Sequence, residues 1–413
     1  MIDTEIKWFS SENIGAPQLS NTWGCMIGVL DACLLTGFGS QLVSSLVIKN
    51  GVGVATFGGS HNIKQFQVVE FSGVSQALDT EHKVLGTTDT TIEFIADLPD
   101  QILTGAISCR LAAAKWKKAF SGLNKAVYQA KNTDANPYFL RVDNSLDSVY
   151  STTRAKYSKV GILETCNGVD DLSGNQVPFD PANPTKNWVG TGSGTSAYNG
   201  WAKWLNATDA TSATSSFQPS SNAVEGERSW ILICTDDTFY ILPSLTIKTA
   251  SGNNPLYRLV YGYGVTEDYN ISFLASTKSY HTVGAGGMNY EQTTPLNGSN
   301  QPFSLERPFV LLKDRLGNYN QAQNNVDFGF DLFQPGKTNK FTNPDGSVHC
   351  SPIYTLEANG FFAGSLPLVK NPLSDLRGVF LDKPIYSVGD EKYLMCKTAA
   401  QTANLGNLFF KVY

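Results

Sequence analysis

The scarcest reactive side chains in this 413-residue sequence are its four histidines, His61, His82, His281 and His349. The closest two, His61 and His82, stand 21 residues apart. None falls in the H-E-x-x-H or H-x-H spacing that brings two ring nitrogens to one metal ion, so no metal site is expected. His61 lies in a Ser60-His61-Asn62 turn, where its ring is expected to bond the backbone. There is no G-x-S-x-G elbow for a serine nucleophile, and no Walker or dinucleotide fingerprint. Gly192-Ser193-Gly194 has no strand before it and no helix after it, so it reads as a linker rather than a phosphate cradle. No cofactor is implied.

Carboxylate pairs are the remaining route to hydrolysis, because glycosidases need two acids across a cleft. Asp170-Asp171, Asp236-Asp237 and Asp390-Glu391 are adjacent in sequence. Neighbours on a strand point to opposite faces, so none of these is itself a catalytic pair, and Asp236-Asp237 reads as hairpin-turn chemistry. The expectation is that the protein is not an enzyme. Trp201 and Trp204 flank Lys203 and admit three readings. They stack on a sugar ring, they anchor a neighbouring subunit, or they pin their loop to the chain's own core.

Seven cysteines are scattered without a C-x-x-C pair, which argues against a zinc ribbon. Cys25, Cys33, Cys109, Cys234 and Cys396 sit in apolar runs and read as small buried hydrophobes. Cys166 and Cys350 have loop-like surroundings and are the candidates for inter-subunit disulfides. Charged residues are only 16% of the chain and the net charge is −5. That charged fraction is low for a globular protein. It suits permanent assembly, where few charges must be desolvated, and it also fits many extracellular β proteins. The densest basic spot, Lys115, Lys117 and Lys118, reads as a solvated face, so nucleic acid is not an expected partner. No apolar run is long enough to cross a membrane, and MIDTEIKWF has the features of no secretory leader.

The elements that would position these groups are mostly strands. Between Leu46 and Leu111 the runs SLVIKN, GVGVATF, FQVVEFSG, KVLGTT, TIEFIA and GAISCRL alternate with Gly, Asn, Asp and Pro clusters. Strands at such close spacing describe a small barrel or sandwich. Trp23 to Leu35 is the clearest helix, capped by Asn21 or Thr22 and closed by Gly37. Its stripe of Trp23, Met26, Ile27, Leu30 and Leu34 lies either on the chain's own β-module or against another subunit. Residues 1–20 read as extended and polar, with Trp8 and Phe9 exposed. Residues 112–131 read as a second helix broken at Ser121-Gly122, or a short helix followed by a strand through Lys125–Tyr128. Residues 167–227 hold few strand signals and read as a projecting excursion, a loop over the core, or a partly disordered stretch; their tryptophans argue against full disorder. SWILICT and TFYILPSLTIK form a hairpin, and the strands of 229–247 and 393–412 are expected to pair.

The order GVATF, SHN, FQVVEFSG, EHKVLGTTDTTIEFIA and GAISCRL resembles a small β-module that recurs in structural proteins of tailed bacteriophages. There an apolar strand leads to a Ser-His turn, then to a V-V-x-F/I-S-G strand and a V-x-x-T-x-T-x-x-F hairpin. Trp8-Phe9, Gly15-Ala16-Pro17, Leu30-Asp31-Ala32-Cys33 and Gly37-Phe38-Gly39 are similar to the start of the same proteins. Trp116, Phe120-Ser121-Gly122, Asn124 to Tyr128, Tyr138 to Asp143, Ser229 to Leu232, Asp236 to Tyr240 and Leu376 to Phe380 continue the series in order. The resemblance spans most of the chain and rests on the order rather than on any single motif. It implies a virion structural protein, assembled in the host cytoplasm.

The expected architecture is mainly β: a small N-terminal β-barrel or sandwich module with one short helix, followed by a larger irregular β domain with long loops. The divisions are 1–39 (arm and helix), 40–111 (β-module), 112–166 (helix/strand connector), 167–228 (loop-rich excursion) and 229–413 (larger β domain). The expected role is a non-catalytic component of the tail, baseplate, neck or collar, present in several copies. Its partners would be other virion proteins and copies of itself, with Trp23, Met26, Ile27 and Leu30 as the anchor. The alternatives are a tail-tip module that binds host glycan through Trp201 and Trp204, and a capsid decoration or head-fibre protein.

Overall fold

The structure is a computed structural model that describes residues 3–75, 77–152, 157–179, 184–193, 202–211, 222–248, 257–281, 288–291, 309–311, 327–328, 349–356, 362–372, 385–399 and 405–413. The described chain is mainly β, in four sheets whose strand–strand pairings are all antiparallel. No described helix is long and apolar enough to cross a membrane.

The first sheet holds the strands expected between 40 and 111. Its order is Glu81–Lys83, Val68–Ser72, Ile107–Leu111, Phe38–Lys49, Val52–Phe57, Thr91–Ile95 and Gly86–Thr87, and Gln101–Leu103 also pairs with Phe38–Lys49. Period-2 alternation fixes its register. Leu46, Ile48, Ala55, Ile92 and Phe94 turn inward and are buried, while Val52, Ile95 and Ile102 remain exposed on the other side. The helix is shorter than its apolar stripe: Cys25–Leu30 is α-helical and Asp31–Thr36 continues as one wider π turn, closed where Gly37 N–H donates to Ala32 O. Neither Asn21 nor Thr22 caps it with a side chain, although Thr22 O accepts from Cys25 N–H at 3.4 Å. Asn144, far along the chain, takes that role: its side-chain oxygen accepts from Met26 N–H at 3.3 Å and its carbonyl from Gly24 N–H at 3.2 Å. Met26, Val29, Leu30, Cys33 and Leu34 are fully buried in the main core.

Several expectations are corrected. Trp8 and Phe9 are not exposed. Lys7–Ser10 is an edge strand paired with Trp230–Cys234, and all four of its residues are buried. A strand covered on both faces shows no polar alternation, so the pattern hid it. The second helix does not form. Lys117–Gly122 and Lys125–Gln129 are a hairpin turning at Leu123-Asn124, with Asn124 at φ +56°; the helix-favouring residues yield to a turn that Asn tolerates. These strands begin the second sheet, which continues through Phe139–Asp143, Tyr157–Leu163, Ala202–Leu205, Thr277–His281 and Met288–Glu291. Ala202–Leu205 comes from the expected excursion, yet it is an inner strand with every residue buried. The strands of 229–247 and 393–412 belong to different sheets. They meet by packing: Ile233, Tyr240 and Leu242 share a core with Leu394, Cys396, Leu408 and Phe410. The expected strand around Val379–Leu381 lies outside the described residues.

Candidate functional site: a buried charge cluster

In the second sheet Phe139–Asp143 pairs with Tyr157–Leu163 in a register that sets Asp143 opposite Lys159 and Arg141 opposite Gly161. Alternation sends Leu140, Val142, Val160 and Ile162 into the main core. Arg141, Asp143 and Lys159 are therefore sent to the other face. That face is covered too, by residues from the 165–190 stretch. Its lid is Trp188, whose ring lies 4.4 Å from the Arg141 guanidinium carbon. Gly161 makes the approach possible, since a Cβ there would meet the indole at 2.7 Å.

The result is a set of charges held out of water. Side-chain exposure is 2% for Arg141, 4% for Asp143 and Lys159, and 6% for Asp147. Arg141 donates to Val169 O at 2.7 Å, to Asp170 Oδ1 at 3.0 Å and to Asp143 Oδ2 at 3.3 Å. Asp143 also accepts from the Ser145 N–H and hydroxyl. The Lys159 ammonium donates to Trp188 O at 2.7 Å and lies 3.4 Å from both Asp143 Oδ2 and Asp147 Oδ2. Asp147 Oδ2 accepts from Gly190 N–H at 2.9 Å. Trp188 Nε1 donates to Gln176 Oε1 at 2.7 Å. At the rim, hydrogen bonds from Lys125 and from Arg141 hold the Asp170 carboxyl below its ordinary range. Removing one partner of such a cluster strands a buried charge, at a cost of about 3–5 kcal/mol. Chemically, the arrangement opposes one amine to two carboxylates in a dry site.

A second polar junction ties the chain ends to the β-module. Lys83 is buried, and its ammonium donates to Ile6 O at 2.6 Å and Val412 O at 3.2 Å. Burial pushes its pKa down to about 8. Beside it, Glu81 bridges Lys7 and Lys115, each at 2.8 Å. Asn13 and Gln67 exchange two side-chain amide bonds of 2.9 Å, and Gln67 also reaches Trp8 O.

The residues singled out in the sequence occupy different ground. Met26 and Leu30 are fully buried in the chain's own core, while Trp23 and Ile27 are half-buried beside them. The stripe is spent on self-packing, so Met26 and Leu30 offer no surface to another subunit. Trp204 is likewise fully buried, between Phe239 and Tyr261, with its indole N–H donating to Ala275 O at 2.8 Å. No face is left for a sugar ring. Trp201 lies outside the described residues. His61 Nδ1 accepts from Ile63 N–H at 2.9 Å and Nε2 faces Thr91 O at 3.2 Å, so both nitrogens are spent on backbone; burial lowers its pKa.

The three acidic pairs also serve local structure. Asp171 caps a turn through Ser173 and Asn167, and these hydrogen bonds lower its pKa to about 2. Asp237 accepts from the Thr235 hydroxyl in the 235–238 turn. Glu391 accepts from Lys370 and Lys411, at 2.8 and 2.6 Å. All seven cysteines are free thiols. Burial raises the pKa of Cys166, and that of Cys350 to about 12, which disfavours the thiolate needed for disulfide exchange. No group of three metal-ligating side chains occurs among the described residues.

Arg141, Asp143, Asp147 and Lys159 were not singled out in the sequence. Alternation in Leu140-Arg141-Val142-Asp143 carried half the signal, a strand with one charged face. That the face would be roofed has no local signature.

No family model matches the chain, and no curated protein matches it. Among solved structures, Phage phi92 endosialidase aligns at a TM-score of 0.16 and 10% identity, over 91% of this chain and 52% of that one. The chain thus spans about half the length of that protein, and a likeness at this score carries no argument about fold or activity.

Proposed function

We propose that this chain is a non-catalytic structural component of a tailed phage particle, built into the tail, baseplate, neck or collar in several copies. The phage context rests on the ordered series of residues from Trp8 to Phe380. The building-block role rests on one observation: among the described residues, the side chains singled out for chemistry serve as internal fasteners. Lys83 joins both ends of the chain to the β-module. The Arg141–Asp143–Lys159–Asp147 cluster sits beneath the Trp188 lid, and His61 is consumed by its own turn.

The surface that would meet a neighbouring subunit is then not the helix. The outer side of the first sheet carries Ile102 and Leu42 at 72% and 74% exposure, with Val52 and Ile95 on adjacent strands. Exposed apolar area of this kind is what interfaces bury. Glycan binding at a tail tip has lost Trp204 as a contact and rests on Trp201 alone.

Immunogold labelling of whole particles tests the reading. Gold at the tail or neck is the expected result, and its absence from intact and disrupted particles refutes a virion role. The double variant Ile95→Lys/Ile102→Lys should fold normally by circular dichroism yet fail to enter particles. Normal incorporation removes this sheet face from the interface.

A further inference from the structure

We infer that Lys159 and Asp147 form an intramolecular isopeptide bond, a covalent staple between the strand Tyr157–Leu163 and the segment that follows Phe139–Asp143. The inference is independent of the phage reading.

Three observations carry it. First, the amine and two carboxyl groups are in contact in a site closed to water. Lys159 Nζ is 3.4 Å from Asp147 Oδ2 and 3.4 Å from Asp143 Oδ2, with all three side chains at most 6% exposed. Exclusion of water favours condensation over hydrolysis, and fixed contact supplies the high effective concentration an uncatalysed acyl transfer needs.

Second, the two carboxylates have different surroundings, which assigns them different roles. Asp143 is held by Arg141 and by the N–H and hydroxyl of Ser145. Those donors fix the carboxyl with Oδ2 3.4 Å from Lys159 Nζ, within reach to carry a proton. Asp147 is met by backbone N–H groups, Gly190 on Oδ2 at 2.9 Å and Val149 on Oδ1 at 3.3 Å. Backbone donors aimed at a carboxyl oxygen stabilise the oxyanion that forms when its carbon is attacked.

Third, the Gly190 contact requires glycine. A Cβ at that position would lie 2.5 Å from Asp147 Oδ1 and 2.5 Å from Val149 Cγ2. The backbone donor reaches the carboxyl group only because no side chain is there.

The step balances without a further reactant. Asp143 accepts a proton from the Lys159 ammonium. The freed lone pair on Nζ attacks Asp147 Cγ, and the negative charge develops on the oxygen facing Gly190 N–H. Asp143 returns its proton to the departing oxygen, which takes a second proton from the attacking nitrogen and leaves as water. The N–C bond forms, the C–O bond breaks, and an ammonium and a carboxylate become a neutral amide and one water.

Intact mass spectrometry of the purified, folded and then denatured chain tests the bond. The expected mass is that of the sequence less one water. Tryptic digestion should give no cleavage after Lys159 and a branched peptide joining Lys159 to Asp147, located by tandem fragmentation. Lys159→Arg keeps the cation but cannot form the amide, and Asp147→Ala removes the acyl group; both should run at the full mass of their sequences. A wild-type chain at full mass with normal cleavage after Lys159 overturns the proposal, and that measurement does not depend on any variant folding. A branch at Asp143 instead of Asp147 overturns the assignment of roles.

Discussion

Replacing Lys83 by methionine should change stability by an amount that depends on pH, in a direction the structure fixes. The Lys83 ammonium is buried, bonded to Ile6 O and Val412 O, and burial takes its pKa from 10.5 to about 8. Folding therefore lowers its proton affinity. Between pH about 8 and 10.5 the unfolded chain holds a proton that the folded chain has released, so this lysine adds stability as pH rises through that window. Below it the folded state bears the whole cost of the buried charge. The fall from 10.5 to about 8 corresponds to about 3 kcal/mol, at ~1.4 kcal/mol for each factor of ten in affinity. Methionine fills similar volume, has no charge to desolvate and makes neither hydrogen bond. At pH 7 the two proteins should lie within about 1 kcal/mol of each other, because relief of desolvation offsets loss of two bonds worth about 1 kcal/mol each. At pH 10 the wild type should be ahead by a further amount approaching 3 kcal/mol. Urea unfolding followed by tryptophan fluorescence at several pH values measures the difference. The titrations of thiols and tyrosines are common to both proteins and cancel in it. A stability difference that stays constant from pH 7 to 10.5 would refute the reasoning, since it would mean that Lys83 keeps an ordinary proton affinity when folded.

Three other substitutions probe the fasteners. Asn144→Ala removes side-chain bonds to Met26 N–H, Tyr157 O and Asn206 Oδ1; leaving these buried partners bare should cost about 2–4 kcal/mol in urea unfolding. Trp204→Ala empties a fully buried site and should cost about 3–5 kcal/mol; any loss of cell binding in this variant should track loss of folded protein, measured by near-UV circular dichroism on the same samples. His61 has its pKa lowered from 6.5 by burial, so the unfolded chain takes up a proton first and stability falls as pH drops below about 6.5. His61→Gln should flatten that acid slope in a thermal-melt series from pH 7 to 5.

Local pattern determined a good part of this protein. Alternation and turn residues marked the strands of the first sheet, because inward and outward side chains must follow period 2 along a half-buried strand. The stripe from Met26 to Leu34 marked the helix, and the turn at Asp236-Asp237 marked the hairpin around it. The sequence also carried the charged alternation at Arg141 and Asp143. Tertiary structure decided what covers each face and which edges meet. Lys7–Ser10 finds Trp230–Cys234, Asn144 caps a helix more than a hundred residues before it, and Ala202–Leu205 enters a sheet although Lys203 sits in its middle. Trp188 closes over a charged face that any local reading leaves in water. The physical reason is that period and turn chemistry act within a few residues. Burial of a charge or pairing of an edge depends on a complementary partner, and the chain supplies that partner only once it has folded back on itself.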